Sequence, residues 1–82
     1  MPGLDVLGLV PGEQVRWRAP GRSRWRYGGV TRREADGSLG VTDVDRAARS
    51  IPVERVEVRR RGRSGWEPLA ARATRSEQLR LL

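Results

Sequence analysis

Apolar and polar residues alternate in several short segments between residues 10 and 63, a pattern that is typical of half-buried strands. In the first of these segments Val15 and Trp17 share one face and Arg16 and Arg18 share the other. Pro-Gly pairs bound the segment on both sides, as expected for the ends of a strand. We predict a first strand here, with Trp17 packed into the core.

The second segment, residues 23 to 34, places Trp25 and Tyr27 on one face. Val30 falls on the opposite parity from Tyr27. We therefore predict a β-bulge at Gly28-Gly29 that returns Val30 to the core face and bends the strand, as a small curled barrel requires. The two rings would then lie opposite the arginines, and their position near loops leaves both core and surface locations open.

Three further strands and a helix complete the prediction. Asp36-Gly37 is a strong turn dipeptide and indicates a hairpin into a third strand. A short fourth strand over residues 49 to 51 is followed by Pro52, one turn of 3₁₀ helix and a fifth strand over residues 56 to 59. Ser64 and Glu67 have capping-box spacing, which favours a short helix through the alanine-rich segment that follows.

This order of elements resembles the SH3-like barrels, in particular their Tudor and KOW branch. The resemblance covers residues 10 to 63 and rests on Gly12 with Val15, Trp25 followed by Gly29-Val30, Asp36-Gly37, and residues 51 to 56. It implies a mainly β fold, a small five-stranded SH3-like barrel with a short C-terminal helix or tail. We divide the chain into an N-terminal lead (1–9), the barrel (10–63) and a helix with a C-terminal tail (64–82).

Composition removes most kinds of enzyme chemistry from consideration. Cysteine and histidine are absent, and with them disulfides, thiolate nucleophiles, imidazole bases and the commonest ligands of zinc. Lysine is absent too, so serine and threonine lack their usual activating base. Glu34, Asp36, Asp43 and Asp45 cluster around the predicted hairpin and third strand, and Asp43 and Asp45 share a face. Two carboxylates could hold Mg²⁺, but without other ligands solubility and pairing with neighbouring arginines are favoured. We expect no enzyme, no cofactor and no metal site, and the N-terminus predicts a cytoplasmic protein with no membrane partner.

The formal net charge is +7, which favours an anionic partner such as nucleic acid. All 17 basic residues are arginine, and asparagine and phenylalanine are absent as well as lysine. This is the bias that a GC-rich bacterial genome imposes through its codons. Part of the positive charge is therefore attributed to codon usage.

Two arginine-rich segments are candidates for contacting nucleic acid. Seven arginines and no acid lie between residues 14 and 33, and five more lie between residues 55 and 63. Guanidinium groups donate to phosphates, and aromatic rings stack on unpaired bases. We predict binding mainly through phosphates, to DNA or RNA, by Arg16, Arg18, Arg24, Arg26, Arg59, Arg60 and Arg61, with Trp25, Tyr27 and Trp66 as a candidate aromatic surface. The alternatives are core packing for the rings and a solvated, edge-protecting role for the arginines.

The last five residues, Gln-Leu-Arg-Leu-Leu, resemble the pentapeptide with which bacterial polymerases and repair proteins dock on the sliding clamp, except that a leucine replaces the final phenylalanine. The resemblance implies an adaptor that docks on a sliding clamp, polymerase or helicase as an extended peptide after a polar linker, residues 74 to 77. The docking residues would be Gln78, Leu79, Leu81 and Leu82. The alternative is that these leucines cap the open end of the barrel.

Two other interpretations are kept open. The Tudor resemblance implies an aromatic cage for methylated lysine or arginine, built from Trp17, Trp25, Tyr27 or Trp66 with Asp43 or Asp45 nearby. The other interpretation is that the chain is a structural end domain of a larger protein.

Overall fold

Short strands make up most of the regular structure. A computed structural model describes residues 3–21 and 24–80, with the course of the backbone alone for residues 76–80. These residues form six strands, β1 (Gln14–Trp17), β2 (Arg26–Arg33), β3 (Leu39–Asp43), β4 (Ala48–Ile51), β5 (Val56–Arg59) and β6 (Trp66–Pro68). The helix α1 spans Leu69–Arg80, and two 3₁₀ helices span Leu4–Leu7 and Val53–Arg55.

The strands form one antiparallel sheet in the order β4-β3-β2-β1-β5-β6. The first strand therefore lies inside the sheet, paired with β2 on one side and β5 on the other. The predicted mainly β fold with a short C-terminal helix is confirmed, and the all-antiparallel sheet is consistent with a small barrel-like fold. Among the described residues, no helix has the length and apolarity needed to cross a bilayer.

A sixth strand replaces the predicted capping box. Residues 66 to 68 pair with β5, with Trp66 opposite Arg59, and α1 begins only at Leu69. Gly62 and Gly65 explain the difference, because their φ angles of 72° and 95° let the chain turn back on itself. The turn is closed by a backbone hydrogen bond of 3.0 Å from the Arg60 N–H to the Gly65 carbonyl.

The core combines strand residues with the N-terminal segment. Val15 and Trp17 of β1 are buried, as predicted, and valines and leucines of β2, β3 and β5 lie beside them. The first 3₁₀ helix packs against α1, and Leu4, Leu7 and Leu9 are all buried in the same cluster. Burying a leucine contributes about 1.5–3 kcal/mol. The N-terminal leucines thus enlarge a core that the short strands alone would leave small.

The predicted bulge at Gly28-Gly29 is wrong. The register of β2 with β1 and β3 continues through both glycines, and it shifts only between Val30 and Arg32. Gly28 and Val30 therefore share the core face, and Tyr27 points to the other face. A Cβ on Gly28 would lie 3.1 Å from the Trp17 ring and 2.5 Å from the Thr42 carbonyl oxygen. A glycine on the core face is what gives the large Trp17 ring its space.

The loop between β3 and β4 is organised by Asp43. Its Oδ1 accepts hydrogen bonds from the backbone N–H groups of Asp45 (2.9 Å) and Ala47 (3.0 Å), and its Oδ2 accepts one from Arg49 Nε at 2.5 Å. The Arg49 hydrogen bond, followed by that of Ala47, holds the pKa of Asp43 below its usual value. All these contacts favour the ionised carboxylate and fix the path of the loop.

We expect Asp43 to make the free energy of unfolding fall as the pH is lowered. A carboxyl whose pKa is depressed in the folded state stabilises the fold above its unfolded pKa of ~3.9 and loses that contribution as the pH falls through its folded pKa. Urea unfolding from about pH 7 to about pH 2.5 measures this dependence. Asp43→Asn is expected to flatten the curve in that acid range. Equal curves for Asp43→Asn and the parent protein would contradict the assignment.

Candidate functional site

Strand β1 carries Arg16 to the middle of the outer face of the sheet, opposite the core side chains Val15 and Trp17. In the antiparallel register Tyr27 of β2 lies across from Arg16 on one side and Glu57 of β5 on the other. The next strand, β6, adds Trp66. We call this group the outer-face cluster; it consists of Arg16, Arg18, Trp25, Tyr27, Glu57, Arg59 and Trp66.

The guanidinium of Arg16 is held between two rings and a carboxylate. Its Cζ lies 3.9 Å from the centroid of the Trp25 ring and 4.7 Å from that of Trp66. Its Nε and Nη2 donate to Glu57 Oε1 at 2.9 and 2.7 Å. Each cation–π contact contributes about 0.5–2 kcal/mol, depending on how far it is removed from water. Arg16 is therefore a fixed part of this surface and sets the positions of both tryptophans.

Two more arginines flank the cluster. The guanidinium of Arg18 lies 4.4 Å from the centroid of the Trp25 ring, and that of Arg59 lies 5.4 Å from the centroid of the Trp66 ring. Within the described residues neither Arg18 nor Arg59 has an ion-pair partner. Tyr27 packs on Trp66 with 5.8 Å between centroids and 58° between ring planes, and 37% of its surface is exposed. Among the described residues, the outer-face cluster thus presents two arginines without ion-pair partners, each against a tryptophan ring, together with the accessible ring of Tyr27.

The structure corrects the predicted arrangement of rings and arginines. We expected Trp25 and Tyr27 on the face opposite Arg16 and Arg18, but all four lie on the outer face. The reason is the unbulged course of β2, which keeps Tyr27 on the opposite parity from Val30. Rings and cations are consequently neighbours, an arrangement that suits phosphate contacts and base stacking at one place.

The other predicted arginines are distributed differently. Arg24 and Arg26 are exposed near the start of β2 and have no ring contact among the described residues; Arg26 pairs with Trp17 and so lies on the opposite parity from Tyr27. Arg60 and Arg61 lie beyond the end of β5 and line a separate cleft next to α1. The structure therefore brings Arg16, Arg18 and Arg59 together and leaves the remaining four outside that group.

An open groove of about 610 Å³ adjoins the cluster on the Trp25 side. The loop after β1 forms one wall, with Arg18 and Pro20, and the second 3₁₀ helix contributes Arg55. Trp25 lies along this groove, so the half-buried ring can be approached from it. The groove extends the candidate surface beyond the rings themselves.

The Tudor-type cage meets three obstacles in this arrangement. Trp17 is only 5% exposed and belongs to the core, so it is no cage wall. The space between Trp25 and Trp66 is filled by the protein's own Arg16. Asp43, one of the two acids considered for the cage, is engaged by its own loop and Arg49. A methylated side chain would have to displace Arg16 from both rings and from Glu57.

The residues considered for clamp docking are described only in part. The predicted linker, residues 74 to 77, is wrong, because α1 continues through it to Arg80. The backbone of Gln78 and Leu79 is therefore helical. Leu81 and Leu82 lie outside the described residues. Docking as an extended peptide would require the last turn of α1 to unwind.

Glu57 and Arg72 are among the residues that the sequence prediction missed. Glu57 alternates with Val56 and Val58, and its role depends on the pairing of β5 with β1, which sequence alternation alone does not specify. Arg72 is 4% exposed although it is charged. Its signal was available, because a spacing of three residues places it on the same helix face as Leu69.

Comparison with known proteins gives no match to a family model, a curated sequence or a solved structure.

Proposed function

We propose that the protein is a small non-catalytic module that binds nucleic acid mainly through phosphate contacts, as a cytoplasmic accessory in DNA or RNA transactions. The observation that carries the proposal is the outer-face cluster. In it Arg18 lies against Trp25 and Arg59 against Trp66, both without ion-pair partners among the described residues, and the exposed ring of Tyr27 packs on Trp66. The proposed fold family is the SH3-like barrel of Tudor or KOW type. The strand order, with β1 between β2 and β5, and the 3₁₀ turn between β4 and β5 support it.

The chemistry of the cluster suits a flexible strand with unpaired bases. Arginine donates in a planar fork to phosphate oxygens, and a base stacked on an aromatic ring contributes about 1–3 kcal/mol. Because Arg16 and Glu57 satisfy each other, Arg16 is expected to orient the rings rather than to contact phosphate. Arg18 and Arg59 are free to turn toward a phosphate at the edges of the cluster. Stacking and phosphate contacts are both tolerant of sequence, so little base readout is expected.

The experiment is a polarisation titration of labelled single-stranded and duplex oligonucleotides at about 50 mM and about 200 mM salt. We expect single-strand binding that weakens steeply with salt. Arg18→Ala and Arg59→Ala should each lower the slope of log affinity against log salt by about 0.7. Tyr27→Ala should weaken binding about tenfold and leave the slope unchanged, because stacking releases no counterions.

Arg32→Ala is the matched control, since it removes one exposed arginine from a strand position away from the cluster. Equal losses of affinity and slope in Arg18→Ala and Arg32→Ala would reduce the interaction to net charge and would contradict a defined site. Absence of binding at the lower salt concentration would favour the alternative, a protein-interaction adaptor that docks on a sliding clamp, polymerase or helicase.

A further inference from the structure

A second basic concavity lies next to α1, apart from the outer-face cluster. It encloses about 480 Å³ between the β5–β6 turn, the helix and Gly8 at the end of the first 3₁₀ helix. The lining consists of Gly8, Glu67 and five arginines, namely Arg60, Arg61, Arg63, Arg72 and Arg75. We call this concavity the helix-side cleft.

Three of the arginines form the wall of the cleft through a network with two carboxylates. Arg72, whose side chain is 5% exposed, donates to Glu13 Oε2 and to the Arg59 carbonyl oxygen, and its Nε lies 3.7 Å from Glu67 Oε1. Arg75 pairs with the same Glu67 oxygen. Arg61 Nη2 donates to the Gly8 carbonyl at 2.8 Å and lies 3.4 Å from Glu13 Oε1. The cleft wall is thus held in place before any ligand arrives.

The remaining two arginines are uncompensated. Arg60 and Arg63 are exposed, and neither side chain has a hydrogen-bond or ion-pair partner among the described residues. Both residues lie in the turn between β5 and β6, which is constrained by the left-handed conformations of Gly62 and Gly65. The cleft and its network contain five guanidinium groups and two carboxylates, those of Glu13 and Glu67, so the site has an excess of three positive charges. Positive charge lining a concave site of reduced dielectric raises the local concentration of anions.

We propose that the helix-side cleft is a binding site for a phosphate group that carries two or more negative charges. Arg60 and Arg63 donate to the phosphate oxygens from the turn. The wall formed by Arg61, Arg72 and Arg75 maintains the positive potential. Two guanidinium groups with a net excess of positive charge around them fit an anion with several acceptor oxygens and at least two negative charges, as a phosphate group has. The site goes beyond the proposed function and does not depend on the outer-face cluster.

The probe is inorganic pyrophosphate, titrated into the full-length protein at low salt and followed by ¹H–¹⁵N NMR and calorimetry. We expect a saturable shift of the Gly8 amide signal, with the Gly37 amide in the distant β2–β3 turn as an internal reference. The double variant Arg60→Ala/Arg63→Ala should weaken binding at least about tenfold, because it removes two charge-assisted contacts. Both positions are exposed, so the fold should be retained.

The matched control is Arg32→Ala/Arg55→Ala, which removes the same number of exposed charges away from the cleft and should change affinity by less than about twofold. An unsaturable Gly8 shift, or equal losses in the two double variants, would overturn the proposal.

A single-stranded oligonucleotide added to the pyrophosphate complex distinguishes the sources of the phosphate. Reversal of the Gly8 shift assigns the site to the nucleic acid backbone, and persistence of the shift assigns it to a small phosphorylated ligand. Tyr27→Ala should leave pyrophosphate binding intact, which separates this test from that of the outer-face cluster.

Discussion

Replacing Arg72 with alanine is expected to lower the free energy of unfolding by about 3–5 kcal/mol, because it breaks one side of a buried ionic network. The side chain of Arg72 is 5% exposed, and its partners Glu13 and Glu67 are 15% and 13% exposed. Alanine would leave the poorly hydrated Glu13 carboxylate and the Arg59 carbonyl oxygen without their main donor, and it would remove the ion pair of 3.7 Å with Glu67. Chemical denaturation monitored by tryptophan fluorescence measures the loss.

Arg75→Ala is the control for this prediction. Arg75 shares Glu67 with Arg72, but 56% of its side chain is exposed, so its removal should lower the free energy of unfolding by less than about 1 kcal/mol. A similarly small loss for Arg72→Ala would mean that water replaces the guanidinium without difficulty. In that case Arg72 would be no structural support for the helix-side cleft.

The second large effect is expected at Gly28. Gly28→Ala should lower the free energy of unfolding by about 2–3 kcal/mol, since its Cβ would meet the Thr42 carbonyl oxygen at 2.5 Å and the Trp17 ring at 3.1 Å. The first contact is with backbone of the neighbouring strand, which cannot move aside as a flexible side chain would. Thermal and urea unfolding of the variant test this directly.

Gly29 provides the neighbouring control. A Cβ at Gly29 would lie 3.6 Å from the Gly12 carbonyl oxygen, its nearest contact outside the adjoining residues. Gly29→Ala should therefore be neutral or should raise the free energy of unfolding by up to about 1 kcal/mol, because alanine restricts the unfolded chain. If the two variants had equal stability, the Trp17 ring would not be packed against β2 as described, and the outward position of Tyr27 would lose its explanation.

The two predictions concern the supports of the two candidate surfaces. Gly28 gives Trp17 its place in the core and so keeps β2 in the register that turns Tyr27 outward. Arg72 joins α1 to β5 and to the loop before β1, and its network forms the wall of the helix-side cleft. Both residues act on binding through the fold, so stability has to be measured before any loss of affinity in such variants is assigned to ligand contacts.

Several elements were predictable because their signals are local. Val15 and Trp17 alternate with polar residues, as do Val56 and Val58, and these two patterns predicted β1 and β5. Asp36-Gly37 predicted the hairpin between β2 and β3. Gly37 has a φ of 92°, the left-handed conformation for which glycine is suited in such a turn. Mainly β structure followed from these short-range patterns.

The candidate surfaces were predictable only as sets of residue types. Alternation and composition predicted the residue set Arg16, Arg18, Trp25, Tyr27, Arg59 and Trp66, but with the rings on the face away from the arginines. Arg60 and Arg61 were predicted as part of the same set, whereas they line the helix-side cleft. Strand parity indicates that two neighbours point in opposite directions, but the face that is buried depends on packing across strands.

The sequence alone was enough to predict the location of most strands, the hairpin turn and the excess of arginine. These features depend on composition or on residues close together in the chain. The tertiary structure alone decided that Gly28 faces the core, that Arg16 lies between Trp25 and Trp66, and that Arg72 is buried. The last of these depends on Glu13, 59 residues away. Contacts between distant segments set both candidate surfaces, since they decide which side chains water can reach and which charges find partners.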